Sequence, residues 1–229
     1  MNTLSIIMPV LNEADGIIAA LAALAPLRRR GVEVIVVDGG SRDATVQYAR
    51  PMADRVITSQ AGRALQMNAG AGIAGGDVLL FLHSDTALPR DADRLILTGL
   101  AGSGFGWGRF DVRITGPRVL MIVAAMMNMR SRLTGIATGD QAVFVRRDAF
   151  VLVGGFPEID LMEDIALSRR LKTRSPPLCI RDPVITSGRR WEKHGVMRTI
   201  LLMWRLRLAY YFGGNPAALA RRYGYAPQR

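Results

Sequence analysis

Cysteine is almost absent from this chain: Cys179 is the single one among 229 residues. No intramolecular disulfide can form, which points to a reducing compartment. Long apolar runs are missing too. The longest stretches, such as 119–129 between Arg118 and Arg130, fall well short of the roughly 20 residues that a membrane-spanning helix needs. The chain runs straight into Leu4-Ser5-Ile6-Ile7-Met8-Pro9-Val10 without a basic lead, so no secretory signal is expected. No glycine-rich loop follows that first apolar run, where a P-loop or dinucleotide turn would need one to admit phosphate. Gly70-Ala71-Gly72-Ile73-Ala74-Gly75 does match G-x-G-x-x-G, but it precedes a strand pattern instead of following one. It reads as a packing or helix-ending feature. Acid is scarce late in the chain, where 14 basic residues from Ile165 onward face only Asp182 and Glu192.

What is present is a globular composition, 49% hydrophobic, on a chain long enough to bury a sizeable core as one α/β domain. Thirty Lys and Arg against 19 Asp and Glu give +11, all of it beyond residue 110, because the first 110 residues carry 10 of each sign. Such a charge permits nucleic acid, an anionic membrane face or a phosphorylated substrate as partner.

In the first half, strand-like runs at 4–10, 33–38, 55–58 and 77–83 alternate with helical patterns at 14–24, 44–53 and 63–74. That grammar predicts right-handed crossovers and a parallel sheet. Ser41 reads as an N-cap, and a helix follows Pro89, over 89–100. Beyond Gly99 the pattern predicts a strand at 110–114, a Met-rich helix at 117–133, a strand at 141–145, and helices at 163–172 and 196–212. Pro176-Pro177 and Asp182-Pro183 are expected to break the chain between them. No repeat, low-complexity tract or linker appears.

Ligands of open α/β sheets bind beyond the carboxyl ends of the strands. Three strand ends carry polar groups there: Asn12-Glu13, Asp38-Gly39-Gly40-Ser41 and His83-Ser84-Asp85. Singly, Asn12 and Ser41 read equally well as helix caps and His83 as a buried hydrogen-bonded histidine. Together they outline a site. Asp85, with His83 two residues before it, reads as a ligand pair for Mg²⁺ or Mn²⁺ held together with substrate phosphates. Glu163-Asp164 pairs two carboxylates whose repulsion raises their pKa, and it also suits a helix N-terminus.

The ordered series Pro9-Val10-Leu11-Asn12-Glu13, Asp38-Gly39-Gly40-Ser41, Gly62-Arg63 with Asn68, His83-Ser84-Asp85, Gly139-Asp140-Gln141, Glu163-Asp164 and Arg189-Arg190-Trp191 resembles family 2 glycosyltransferases with a GT-A fold. Within them it looks like the short bacterial radical-SAM/selenodomain-associated subgroup. The resemblance implies a Rossmann-like, mostly parallel sheet flanked by helices, as a single domain over 1–229. About 1–110 would be the donor half, about 111–195 the acceptor and catalytic half, and about 196–229 a basic helical segment. It further implies an inverting transfer of one sugar from a nucleotide-diphospho-sugar, UDP-linked, with a divalent metal at Asp85. Asp164 would be the general base and Glu163 its neighbour. Pro9, Asn12, Glu13, Asp38, Ser41, Arg63, His83 and Arg190 would line the donor site, Asp38 receiving the base. Trp107, Asp140 and Trp191 would face the acceptor.

Three positions depart from the family pattern. His83 stands where the first aspartate of D-x-D is usual, Gly39 replaces the second aspartate of Asp-Asp-Gly-Ser, and Ser187 replaces the glutamine of Q-x-x-R-W. A single transfer is therefore expected instead of polymerisation. The segment 104–110, with glycines flanking aromatics, reads either as an acceptor platform or as a bulge. The helix at 196–212 mixes aromatics, aliphatics and arginines, which suits a membrane interface as well as a core helix with snorkelling arginines. Arg198 and Arg205 align on one side at 100° per residue, and Arg207 falls opposite Arg198. The resulting expectation is a cytoplasmic protein touching the inner face of the membrane peripherally, with a lipid or membrane-associated acceptor. The rivals are a sugar-nucleotide nucleotidyltransferase, disfavoured by the acidic Asn12-Glu13-Ala14-Asp15, and a basic nucleic-acid-binding module. The second leaves the acidic strand ends unexplained, so no nucleic-acid partner is expected.

Overall fold

The apolar runs at 4–10, 33–38 and 78–81 become strands buried on both faces, as a parallel sheet covered by helices requires, while the edge run at 55–58 stays partly exposed. A computed structural model describes residues 3–224, apart from the side chains of Arg190 and His194. Strands β1 (Leu4–Val10), β2 (Glu33–Asp38), β3 (Arg55–Thr58) and β4 (Val78–Phe81) are connected by helices α1 (Ala14–Arg28), α2 (Thr45–Ala49) and α3 (Arg63–Ile73). Helix α1 runs past the expected end at 24, because Ile17, Leu21, Leu24 and Leu27 continue one buried stripe. Arg28 then pairs with Asp54 at 2.6 Å. Gly70 lets α3 lie on the sheet: a Cβ there would stand 2.5 Å from Ile7 Cγ2. The G-x-G-x-x-G match is thus a packing feature.

The chain continues through β5 (Thr86–Ala87), α4 (Ala92–Ser103), β6 (Trp107–Ile114), α5 (Val119–Thr134), a 3₁₀ turn (Gly139–Gln141), β7 (Phe144–Arg146), α6 (Arg147–Leu152), α7 (Glu163–Leu171), β8 (Leu178–Thr186), α8 (Arg189–His194), α9 (Val196–Tyr211) and α10 (Pro216–Tyr223). All eight strands form one sheet in the order β3-β2-β1-β4-β7-β6-β8-β5. The pairs β3/β2, β2/β1, β1/β4 and β6/β8 are parallel, and β7 is antiparallel to both its neighbours.

Several expectations are corrected here. Asp182-Pro183 does not break the chain. The register of β8 against β6 jumps from Phe110↔Ile180 to Asp111↔Pro183, so Arg181 and Asp182 bulge out and the proline is carried within the strand. Gln141 lies in the 3₁₀ turn and not in a strand. Ser41 does not cap α2; Asp43 does that work, accepting from Thr45 N at 3.0 Å. The short helices α6 and α8, and α10, have no counterpart in the sequence reading.

Candidate active site

The carboxyl ends of β1 and β4 and the loops beyond them open onto a cavity of about 1300 Å³, whose opposite wall is α5, the start of α7 and α9. Its donor-side lip is fixed by side chains that bond to backbone. Ser41 Oγ donates to Asp38 Oδ1 at 2.5 Å and accepts from Asn12 N, while Asn12 Oδ1 accepts from Arg42 N at 2.8 Å. Asp38 also receives Gly40 N and Ser41 N. It is 3% exposed and does not line the cavity, and neither do Asn12 and Ser41. All three hold the loops at the mouth of the cavity. Asn12 itself sits at φ 53°, a left-handed conformation that asparagine tolerates. Buried Gln66, which sequence reasoning missed, donates to Val10 O and Val37 O and locks the ends of β1 and β2 together.

Pro9, Glu13, Arg63, His83, Asp85 and Arg189 do reach the cavity. Glu13 is raised above the ordinary carboxylate range by burial and by Asp85, with Ser84, Arg189 and Arg63 opposing. The strand geometry expected of His83 and Asp85 does not occur, since β4 ends at Phe81 and both lie in the turn before β5. His83 Nδ1 instead faces Asp140 Oδ1 at 3.7 Å, and its ring packs so closely on Gly139 that a Cβ there would be 2.5 Å from Cε1. His83 is thus placed as a partner of Asp140. Burial would raise Asp140, but His83, Arg63 and Arg207 outweigh it and hold the carboxyl below its usual value. The side chain of Arg190 lies outside the described residues; Arg189 is the arginine of that motif which lines the cavity.

Glu163 and Asp164 open α7, after Met162 at φ 71°. A methionine held there costs about 1 kcal/mol or more, the kind of strain that collects at functional sites. Asp164 Oδ2 accepts from Gly139 N at 2.8 Å and Oδ1 from Ile165 N at 2.7 Å, which joins α7 to the 3₁₀ turn. Glu163 is 6% exposed, and burial, then the neighbouring Asp164, pushes it up to about 7, with Arg63 opposing. The carboxylates of Glu163, Asp140 and Asp164 act on Arg63, outweigh its partial desolvation and raise its hold on the proton.

Trp191 lines the cavity and packs partly on the core. Trp107 does neither of the things expected of an acceptor residue. It is fully buried, and its Nε1 donates to Ser175 O at 3.0 Å, so the 104–110 segment is a strand entry and not a platform. The cavity also contains Arg130 and Arg207, which the sequence reading did not single out as site residues.

Acids and arginines beyond the strand ends face the acid pair that opens α7 across one cavity, the arrangement of an α/β enzyme whose site lies at the carboxyl ends of its sheet. Residues 5–118 match the family described as Glycosyl transferase family 2. The chain belongs to that family, and its fold is GT-A. Among curated relatives, an uncharacterized glycosyltransferase of Mycobacterium tuberculosis is 29% identical over 240 residues, 93% of this chain and 87% of the relative. A PGL/p-HBAD biosynthesis glycosyltransferase of Mycobacterium bovis is 28% identical over 252 residues, 89% and 97% respectively. Among solved structures, mannosyltransferase PcManGT from Pyrobaculum calidifontis, in complex with GDP-Man and Mn²⁺, is 25% identical with TM-score 0.67, covering 99% of this chain and 66% of that one. TarS of S. aureus shares the fold at 19% identity and TM-score 0.66, and this chain covers 60% of that structure. The chain is a glycosyltransferase.

Proposed function

We propose that this glycosyltransferase moves one sugar from a nucleotide-diphospho-sugar, UDP-linked in the first instance, to an acceptor hydroxyl with inversion. The observation that carries the reading is one cavity with two chemistries: Glu13, Arg63, Asp85 and Arg189 at the strand ends, and Glu163 and Asp164 on α7. Relatives in complex with UDP and with GDP-Man support the donor class.

In this reading about residues 1–110 bind the donor, about 111–195 supply acceptor and base, and about 196–229 contribute the helical wall. Asp164 takes the acceptor proton. The new C–O bond forms at the anomeric carbon while the bond to phosphate breaks, and the nucleoside diphosphate leaves with the electron pair. Glu163, near half-protonation at neutral pH, orients the acceptor through a hydrogen bond. Arg63 and Arg189 attract the diphosphate. Asp140 and Trp191 lie on the acceptor side, with His83 steering Asp140. Among the described residues no three His, Cys, Asp or Glu groups stand close enough to hold a metal alone. Asp85, with Glu13 near it, fits an ion completed by diphosphate oxygens, as Mg²⁺ and Mn²⁺ accept. Such an ion, when bound, neutralises charge on the departing diphosphate.

Among the described residues no helix is long and apolar enough to cross a membrane. Yet α5 exposes Met121, Ile122 and Leu133, α9 exposes Met197, and Phe212 just beyond α9 is exposed too, with Arg198 and Arg205 exposed on the same helix. That mixture supports peripheral contact with an anionic lipid surface on the cytoplasmic side. The function is tested by thermal shift and calorimetry with UDP- and GDP-linked sugars, with and without Mn²⁺. Stabilisation by at least one donor is expected; indifference to all of them would refute the donor site.

A further inference from the structure

Two arginines line the cavity without the partners that buried arginines need. Arg130 on α5 leaves Nε and Nη2, and Arg207 on α9 leaves Nε, buried with no hydrogen-bond partner. Neither forms an ion pair among the described residues, whereas Arg28, Arg30 and Arg109 are paired with Asp54, Asp93 and Asp111. The two act on each other. Burial and then the charge of Arg207 bring Arg130 down to about 10, with Asp164 opposing. Two guanidiniums crowded in a partly apolar cavity are unfavourable, and a shared oxyanion repairs both charge and hydrogen bonding.

The location is specific. The charges acting on Arg130 are Arg207, Asp164 and Arg109, while those acting on Glu13 are Asp85, Arg189 and Arg63. Arg130 on α5 and Arg207 on α9 line the cavity wall that faces the strand ends, and Asp164 is the carboxylate whose charge acts on Arg130. Around it the wall is apolar: Met126, Met129, Trp204 and Leu208 line the cavity and are 48%, 57%, 61% and 60% exposed. The cavity joins a cationic floor to an apolar, open flank.

We propose that Arg130 and Arg207 form an oxyanion subsite that takes a phosphomonoester group of an amphipathic acceptor, whose apolar part lies against Met126, Met129, Trp204 and Leu208. The proposal rests on the glycosyltransferase reading, since it assigns the acceptor of that same site. The free hydroxyl of the acceptor then faces Asp164. A lipid headgroup and a soluble phosphate share the oxyanion chemistry, and the apolar flank favours the former.

Calorimetric titrations separate the sources. Inorganic phosphate, octyl phosphate and octyl glucoside are each titrated into the wild type and into the Arg130→Gln/Arg207→Gln double variant. UDP or GDP with Mn²⁺ is titrated in parallel. Octyl phosphate is expected to bind the wild type about tenfold tighter than either inorganic phosphate or octyl glucoside. It should lose about tenfold in the variant, while nucleotide affinity stays within about threefold. Octyl phosphate binding both proteins equally would overturn the subsite. Parallel loss of nucleotide would assign the arginines to the donor diphosphate and overturn it too. Inorganic phosphate binding as tightly as octyl phosphate would overturn the amphipathic part. If the variant does not fold, the wild type decides: octyl phosphate binding at saturating nucleotide supports the proposal, and displacement by nucleotide overturns it. Failure of the glycosyltransferase reading shows separately, as no nucleotide binding by the wild type.

Discussion

The two ends of the cavity solve opposite problems. At the donor end nearly every polar side chain is spent: Asp38 accepts from its own loop, Asp43 from Thr45 and Ala14, and Asn12 and Ser41 from one another's loops. On the acceptor side the account is left open. Among the described residues, Arg130, Thr138 and Arg207 line the cavity with buried side-chain polar atoms that have no partner. Hydrogen-bonded loops are rigid and suit a fixed nucleotide. Unpartnered cations and a buried carboxyl near pKa 7 are unfavourable in the free protein and become favourable only against a ligand. The first half is thus built for stability, and the second holds its polarity in reserve.

The largest effect that would sharpen this contrast is on turnover. Asp164→Asn keeps the two accepted hydrogen bonds through its amide oxygen only in part and removes the base; release of nucleoside diphosphate should fall about 10²–10⁴-fold. Turnover within tenfold of wild type would move the base elsewhere. Next in size, Asp85→Asn should weaken Mn²⁺-dependent nucleotide binding about tenfold or more by calorimetry, with little change in melting temperature. Gly70→Ala, on the donor half, should cost about 1–3 kcal/mol in denaturant unfolding, because its Cβ meets Ile7 and Val37 in the packed sheet.

Glu163 tests the reserve side through pH. Its folded pKa of about 7 lies above the ordinary 4.5, so burial of the neutral form stabilises the fold at low pH. That contribution is full below pH 4.5 and is lost as pH rises through 7. The loss amounts to roughly 3 kcal/mol at the most. Glu163→Gln should flatten the dependence of melting temperature on pH between 5 and 8; an unchanged slope would contradict the burial argument. The smallest effect concerns the outer face. Binding to anionic liposomes should appear at low salt, weaken as salt rises and fall further in Phe212→Ala.

Much of the donor half was legible in the sequence because local signals and global fold agree there. β1, β2 and β3 occupy their expected residues, since uninterrupted Val and Ile runs have no competing structure. Motifs found the cavity-lining Glu13, Arg63, Asp85 and Asp164. What failed depended on contacts distant in sequence. Asp182-Pro183 reads as a break until β6 offers a bulge, and Trp107 reads as a platform until Ser175 covers its indole. His83 faces Asp140 because Gly139, 56 residues later, leaves a seat for its ring. Arg130 carried no signal and Arg207 a faint one, because an arginine in an apolar helix looks the same whether it snorkels outward or faces a cavity. Only the helical angle hinted at it: Arg198 and Arg205 are exposed, and Arg207, on the side opposite Arg198, turns inward.

The most direct test of this division of labour is to titrate one nucleotide sugar, with Mn²⁺, into Asp85→Asn and Asp164→Asn side by side. The account predicts that Asp164→Asn binds the donor within about threefold of the wild type while Asp85→Asn loses about tenfold or more. Equal loss of donor affinity in both variants would contradict it.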